Sequence, residues 1–446
     1  MKNKTLFMAV AMLVMMALSL FGGGGQQGSG GSASASGKVE IRASWWGDTV
    51  RHELYSKIIG EFEKANPGIT VVREPLTWAG YWDKMSVQAA GGNAPDFISM
   101  HPLYANDYIP RGVCEPLDDY IKNGTISVDN WAQSTIDTGK FNGKIYMMAM
   151  GITFVSSFVN LGAFKELGIE PPPFDWTLED AKRIGLQVRQ AFDKQGKRNQ
   201  WMMADRTMDI NAGVLRYYAR EAGRDFYDRE GKLAFTQQDL ENLFTDYKEL
   251  RDLGVIPDAA TSMEYFELPL EDTLLARDKV LIHSDPVNKF WLYNTTFPDK
   301  ELGIIRIPSR KNKIQSGEYP EGAHYAVYAR STPEKKLAAA KLINFWLNDP
   351  RSLILYRLDQ GVPANEKVLQ ETVVPALDKF MQASVNFVNI LAKVTTPSPN
   401  PPTGHSQITQ EYLKAAQEVA YGVKTPAQAA KDFYELAQDI LVKVAK

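Results

Sequence analysis

The sequence predicts an α/β fold built on a parallel sheet and divided into two domains. Between Val39 and Met100 short apolar strands alternate with amphipathic helices in the order βαβαβ, for which right-handed crossovers and parallel pairing are the default. The roughly 400 residues that follow Gly37 are too many for one small core, so two domains are expected. No internal repeat appears at solenoid or propeller periods.

The chain opens with Lys2 and Lys4 before an uninterrupted apolar run, Leu6 to Phe21. That charge and length fit the core of a secretory signal (residues 1–21) better than a spanning helix, so export is expected, with an uncleaved membrane anchor as the alternative. Residues 22–37 contain Gly, Gln, Ser and Ala only and include an Ala33-Ser34-Ala35 processing pattern. Such a segment cannot bury a core and reads as a tether.

Setting Lys2 and Lys4 aside leaves 48 basic against 53 acidic side chains. This mild acidity argues against a nucleic-acid or anionic-membrane surface. Cys114 is the single cysteine, which excludes an intrachain disulfide and any CxxC motif.

Val39, Ile41, Ala43 and Trp45 alternate with Glu40, Arg42, Ser44 and Trp46, the period of a strand. Leu54, Ile58, Ile59 and Phe62 recur at three and four, so His52 to Lys64 reads as a helix ended by Asn66-Pro67-Gly68. Ile69 to Val72 reads as a second strand, Tyr81 to Ala90 as a helix and Asp96 to Met100 as a third strand. Thr177 with Asp180 and Thr236 with Asp239 read as capping boxes, and Thr332-Pro333 and Thr425-Pro426 place Pro at the first helical position. Asp225 to Tyr227 and Lys232 to Phe235 read as a hairpin, and Asn400-Pro401-Pro402-Thr403-Gly404 as a rigid break before the last two helices.

In open α/β sheets ligands sit beyond the carboxyl ends of the strands. That places Trp45, Trp46 and Asp48 after the first strand, Trp78, Tyr81 and Trp82 after the second, and His101, Tyr104 and Asn106 after the third. Trp45 and Trp46 point to opposite faces; Trp46 is expected on the ligand side. Asp48 either accepts a ligand hydroxyl or caps the helix near Thr49. Trp82 is expected in the helix face, with Trp78 and Tyr81 as candidates for the cleft. His101 either meets ligand or is satisfied in the core. Trp131, Trp176 and Trp346 are expected to be structural.

The ordered segments Phe62-Glu63-Lys64-Ala65-Asn66-Pro67-Gly68-Ile69, Gly91 to Asp96, Phe141-Asn142-Gly143-Lys144-Ile145-Tyr146, Ala276 to Ile282, Tyr325 to Lys336, Gly361-Val362-Pro363 and Tyr421 to Pro426 resemble the extracellular solute-binding proteins of family 1. These are the substrate-binding subunits of ABC importers. The resemblance covers nearly all of the chain after the tether and implies the two-lobe periplasmic-binding-protein fold of type II-like form, with an interlobe hinge and cleft. It implies lobes of residues 38–149 with 302–348 and 150–301 with 349–446. It further implies a carbohydrate ligand, ABC permease subunits as partners, a monomer, no cofactor, and location in the periplasm or at the outer face of the cytoplasmic membrane.

A pyranose offers apolar faces and a rim of hydroxyls, so its site needs aromatic planes together with carboxylates, amides and imidazoles. In the second lobe Trp201, Asp205 and Arg206 occupy an irregular polar-aromatic stretch, and Asp285 follows the strand Lys279 to His283. The family often carries an aromatic just after that strand; Val287 stands there, leaving Phe290 or Trp291 as substitutes. Gly322-Ala323-His324 precedes the return strand, and small residues there would let backbone amides approach ligand.

Alternative classes remain a secreted carbohydrate-active hydrolase and a surface adhesin. His52-Glu53 begins a zincin-like pattern, but Ser56 replaces the second His, and no GxxxxGK[ST] loop is present. A glycosidase needs two carboxyl groups roughly 5 to 10 Å apart, and the sequence singles out no such pair.

Overall fold

A computed structural model describes residues 38–209, 211–266 and 268–444. The expected signal core and tether lie outside the described residues. The strands are Val39–Trp46 (β1), Ile69–Leu76 (β2), Phe97–Met100 (β3), Lys140–Phe141 (β4), Lys144–Ile145 (β5), Met148–Ala149 (β6), Val155–Asn160 (β7), Trp201–Met203 (β8), Val280–Pro286 (β9), Leu302–Ile305 (β10) and His324–Val327 (β11).

One sheet has the order β2-β1-β3-β11-β6 and another the order β10-β7-β9-β8, while β4 and β5 form a small hairpin. In the first sheet β1 runs parallel to β2, from Val39 opposite Ile69 to Trp46 opposite Leu76, and parallel to β3. The predicted βαβαβ unit is therefore present. Its helices span Thr49–Ala65 and Trp78–Ala90, each about a turn longer at the N-terminus than the apolar period indicates, because Asp48 and Thr77 cap them. The chain returns antiparallel through β11, with His324 opposite Met100.

Each sheet is the centre of its own lobe within the unit from Val39 onward. The helix Thr49–Ala65 turns Tyr55, Ile58, Ile59 and Phe62 inward, and Pro333–Asn348 covers the same sheet through Leu342, Ile343, Phe345 and Trp346. Both capping boxes form as read from the sequence, with Thr177 and Thr236 each bonded reciprocally to the Asp three residues on. The hairpin near Gly231 closes on a single bridge, Tyr227 to Leu233, rather than on two regular strands.

The lobe boundaries fall elsewhere than the sequence reading put them. β10, assigned to the first lobe by the 302–348 segment, is hydrogen-bonded to β7 from Leu302–Asn160 to Ile305–Ser157 and lies in the second sheet. The helix Pro350–Tyr356, assigned to the second lobe, buries Leu353 and Tyr356 in the core of the first. The chain passes between the two sheets near residues 151 and 322, where isolated bridges join Ile152 to Val362 and Thr153 to Glu321.

Glycines allow those crossings to touch. A Cβ on Gly322 would stand 2.3 Å from the carbonyl oxygen of Gly151, and one on Gly151 would stand 2.7 Å from the Gly361 backbone. Gly361 has φ +118°, which side-chain-bearing residues rarely adopt. The small residues before β11 thus serve backbone packing.

Candidate functional site

Where the crossings meet, two cavities of about 440 and 320 Å³ share Asn211, Pro286, Tyr319 and Glu321 in their walls. The larger one lies between lobes: His101, Thr138 and His324 come from the first, Arg216 from the second, and Pro397 to Pro401 close one side. The smaller runs into the second lobe past Asp205, Arg206, Asp209, Tyr217, His283 and Asp285. Volumes in this range suit a small oligosaccharide or similar solute.

His101 ends β3 and caps the helix Pro102–Tyr108, its Nδ1 accepting the Leu103 N–H at 3.3 Å. His324 begins β11 and its Nε2 lies 2.8 Å from Thr138 Oγ1. Burial, with the positive fields of His324 and Arg216, lowers His101 to about 3. Burial lowers His324 to about 4. Both imidazoles are neutral at physiological pH and line the cavity as hydrogen-bonding groups rather than charges.

Asp205 and Asp285 reach the cavity wall but are already engaged. Asp205 accepts from Thr207 N at 2.9 Å and Thr207 Oγ1 at 2.7 Å, and is paired with Arg251. Asp285 accepts from Lys289 Nζ at 2.9 Å and Tyr293 Oη at 3.1 Å. Asp209 accepts the Asn211 and Gly213 N–H groups, each at 2.8 Å, fixing the turn into the helix Gly213–Glu221. Glu321 has its pKa raised by burial, opposed by Arg216.

The aromatic residues are placed differently from expectation. Trp45 and Trp46 do face opposite sides, Trp45 toward His52 and Tyr55 and Trp46 toward Trp78, Tyr81, Trp82 and His101. Trp46 is only 6% exposed and lines neither cavity, so it is a core ring beneath the cleft edge and not an open platform. Alternation along a strand fixes the face and says nothing of what covers it. Tyr81 is buried, with its hydroxyl bonded to Ser99 O at 2.5 Å. Tyr104 stacks on Trp82 at 3.9 Å between centroids. Trp78 is the cluster member with a broad exposed face, at 38%. Asp48 is the helix cap, accepting from Arg51 N at 2.9 Å.

Trp201 is buried in β8 in a cluster with Leu274, Val280 and Phe290 and lines neither cavity. Trp291 is half-buried against the first-lobe core and likewise lines neither cavity. Of the residues singled out in the sequence, the structure therefore gathers His101, His324, Asp205, Arg206 and Asp285 around the two cavities. It adds Arg216, Tyr217, Tyr319, Glu321 and the proline-rich segment. Tyr319-Pro320-Glu321 directly precedes the noted Gly322-Ala323-His324, so widening that window by three residues would have found two of them. Arg216 carries no such signal, because it sits on an amphipathic helix whose polar face reads as solvent-exposed.

Residues 57–385 match the sequence profile of the bacterial extracellular solute-binding proteins. The chain belongs to this family. A curated relative in Brucella abortus, described as a putative binding protein, is 22% identical over 47% of this chain and 49% of its own length, so the chain spans about half the length of the curated relatives it matches. Among solved structures, a periplasmic solute-binding protein from Pectobacterium atrosepticum is similar with TM-score 0.78 and 22% identity, covering 91% of this chain and 100% of that one. An oligogalacturonide-binding protein from Yersinia enterocolitica, solved with saturated digalacturonic acid, gives TM-score 0.77 and 20% identity over 92% of this chain and 100% of that one. The acarbose-binding GacH receptor of Streptomyces glaucescens gives 0.73 and 16% over 90% of this chain and 98% of that one. These likenesses establish the two-lobe fold of the family for this solute-binding chain.

Proposed function

We propose that this solute-binding protein is the extracytoplasmic substrate-binding component of an ABC importer and that its ligand is a saccharide held between the lobes. The observation that carries the reading is the interlobe cavity, whose walls bring His101 and His324 from one lobe together with Arg216 from the other beside a glycine-packed hinge. A ligand contacting both walls favours the closed form by its differential affinity, and closure is the signal a permease would read. The Yersinia and Streptomyces proteins of the same fold bind carbohydrates or their analogues, which supports a sugar here. His101, His324, Asp205 and Asp285, with Tyr319 and Glu321, are the proposed ligand contacts. Binding by a monomer, without covalent chemistry, outside the cytoplasmic membrane completes the reading.

The test is a saccharide library screened by thermal shift, followed by small-angle scattering with any hit. A raised melting temperature, a smaller radius of gyration at saturation and chemically unchanged sugar are expected. Hydrolysed sugar would assign the cleft to a hydrolase, and identical scattering profiles at saturation would remove closure from the mechanism.

A further inference from the structure

The charged groups of the cleft are unequally satisfied. Asp205, Asp285 and Asp209 are held by the partners described above, and Glu318 accepts from Arg306 Nε and Nη2 at 2.7 Å each. The arginines are not held in this way. Arg216 Nε is buried with no hydrogen-bond partner, and its one carboxylate neighbour within 4 Å among the described residues, Asp225, is 3.9 Å away. That Asp225 is itself engaged by Arg220 Nη1 at 2.5 Å. The Arg216 side chain is only 11% exposed and its guanidinium lies over the Tyr319 ring at 4.9 Å. Arg206 lies over the Tyr217 ring at 5.9 Å, with no carboxylate within 4 Å among the described residues.

A guanidinium removed from water without an acceptor is costly, and the cost is relieved when an anion enters. Glu321 shares the larger cavity's wall with Arg216, whose charge favours its ionised form. Its pKa is raised by burial, so it is a weaker counter-ion than an ordinary glutamate. We propose that the saccharide is acidic, a uronate-containing oligosaccharide whose carboxylate is received by the unpaired fork of Arg216, with Arg206 serving a second carboxylate deeper in the second lobe.

This rests on the saccharide reading and specifies its substrate class. Planar forks match planar carboxylates in a bidentate manner. Among the described residues the two cavity walls contain no lysine, and a dianionic phosphate beside Asp209 and Glu321 would meet more repulsion than a singly charged carboxylate. The flat rings of Tyr217 and Tyr319 beneath the two forks hold them in place, which reduces the ordering cost on binding.

The experiment is titration calorimetry with digalacturonate, diglucuronate and dimannuronate, each compared with its methyl ester and with the neutral disaccharide of the same sugar. At least one acid is expected to bind, with its ester weaker by roughly ten- to a hundred-fold, the range for a charged hydrogen bond. Arg216→Gln should weaken the acid more than its ester and so close most of the gap between them. Arg216→Lys, which keeps the charge and loses the fork, should fall between the two, and circular dichroism checks that both variants fold. A neutral disaccharide or ester binding as tightly as its acid, or Arg216→Gln weakening acid and ester equally, overturns the acidic assignment and leaves the saccharide reading standing. If these disaccharides fail and a neutral oligosaccharide of the library binds, the acidic assignment alone falls. Failure of every saccharide removes both.

Discussion

Arg51 grips Asp359 across 308 residues of sequence, its Nε 2.7 Å from Oδ2 and its Nη2 3.3 Å from Oδ1. Tyr55 Oη donates to the same Oδ2 at 3.0 Å, and Asn288 Nδ2 donates to the Asp359 carbonyl at 2.8 Å. The helix Thr49–Ala65 is thereby fastened to the segment that leads into the hinge. Asp359→Ala removes the carboxylate that a largely buried guanidinium and a buried phenol share. The expected loss is about 2 to 3 kcal/mol in urea unfolding. A loss within the noise of that measurement would show the pair to be solvent-compensated.

Trp46 has the contacts of a core residue, and its truncation should behave accordingly. Trp46→Ala is expected to cost about 3 to 5 kcal/mol, the range for deleting a buried aromatic. Trp78→Ala, removing a ring with an exposed face, should cost clearly less. Equal unfolding midpoints for the two variants would contradict this ordering.

The cleft histidines make stability depend on pH. Folded His101 and His324 take up a proton only near about 3 and about 4, whereas the ordinary value is 6.5. The unfolded chain binds more protons than the native one from pH 6.5 down to about 4 for His324 and about 3 for His101, so their contribution is full above 6.5 and is lost as pH falls through those windows. Melting temperature should therefore decline from about pH 7 to about pH 4. The decline should be shallower in His324→Gln, and an unchanged slope in that variant would exclude His324 as a source.

Two glycine substitutions should move stability in opposite directions. Gly322→Ala forces a methyl against the Gly151 carbonyl at 2.3 Å, and overpacking of this kind costs about 1 to 3 kcal/mol or more. Gly60 lies within the helix Thr49–Ala65, where an added methyl would meet nothing within 4 Å, so Gly60→Ala should stabilise by about 0.5 to 1 kcal/mol. Denaturation curves of the two variants, compared with the parent, check both signs.

Local order was legible in the residues. The period-two run of Val39 to Trp46, the three-four recurrence in Leu54 to Phe62 and the capping boxes at Thr177 and Thr236 each reflect short-range geometry, and each forms as read. What depends on distant partners was not legible. Nothing in Leu302 to Ile305 announces β7 as its neighbour, and nothing around Tyr356 announces the helix that begins at Thr49. The site divides along the same line. His101 and His324 follow from strand-end logic because β3 and β11 end or begin at the cleft. Trp46 obeys the same logic and is then covered by Trp78 and Trp82, which only packing reveals. Arg216 gains its meaning from the missing acceptor around it.

The hinge has a consequence for how the chain folds. Its bridges join Ile152 to Val362 and Thr153 to Glu321, partners separated by roughly two hundred positions. Bringing such distant stretches together costs loop-closure entropy before any contact repays it. Either sheet can gather its local helices early, but the glycine crossing is complete only when Gly361 arrives. The crossing that joins the two sheets in the finished molecule is thus the contact that refolding is expected to complete last.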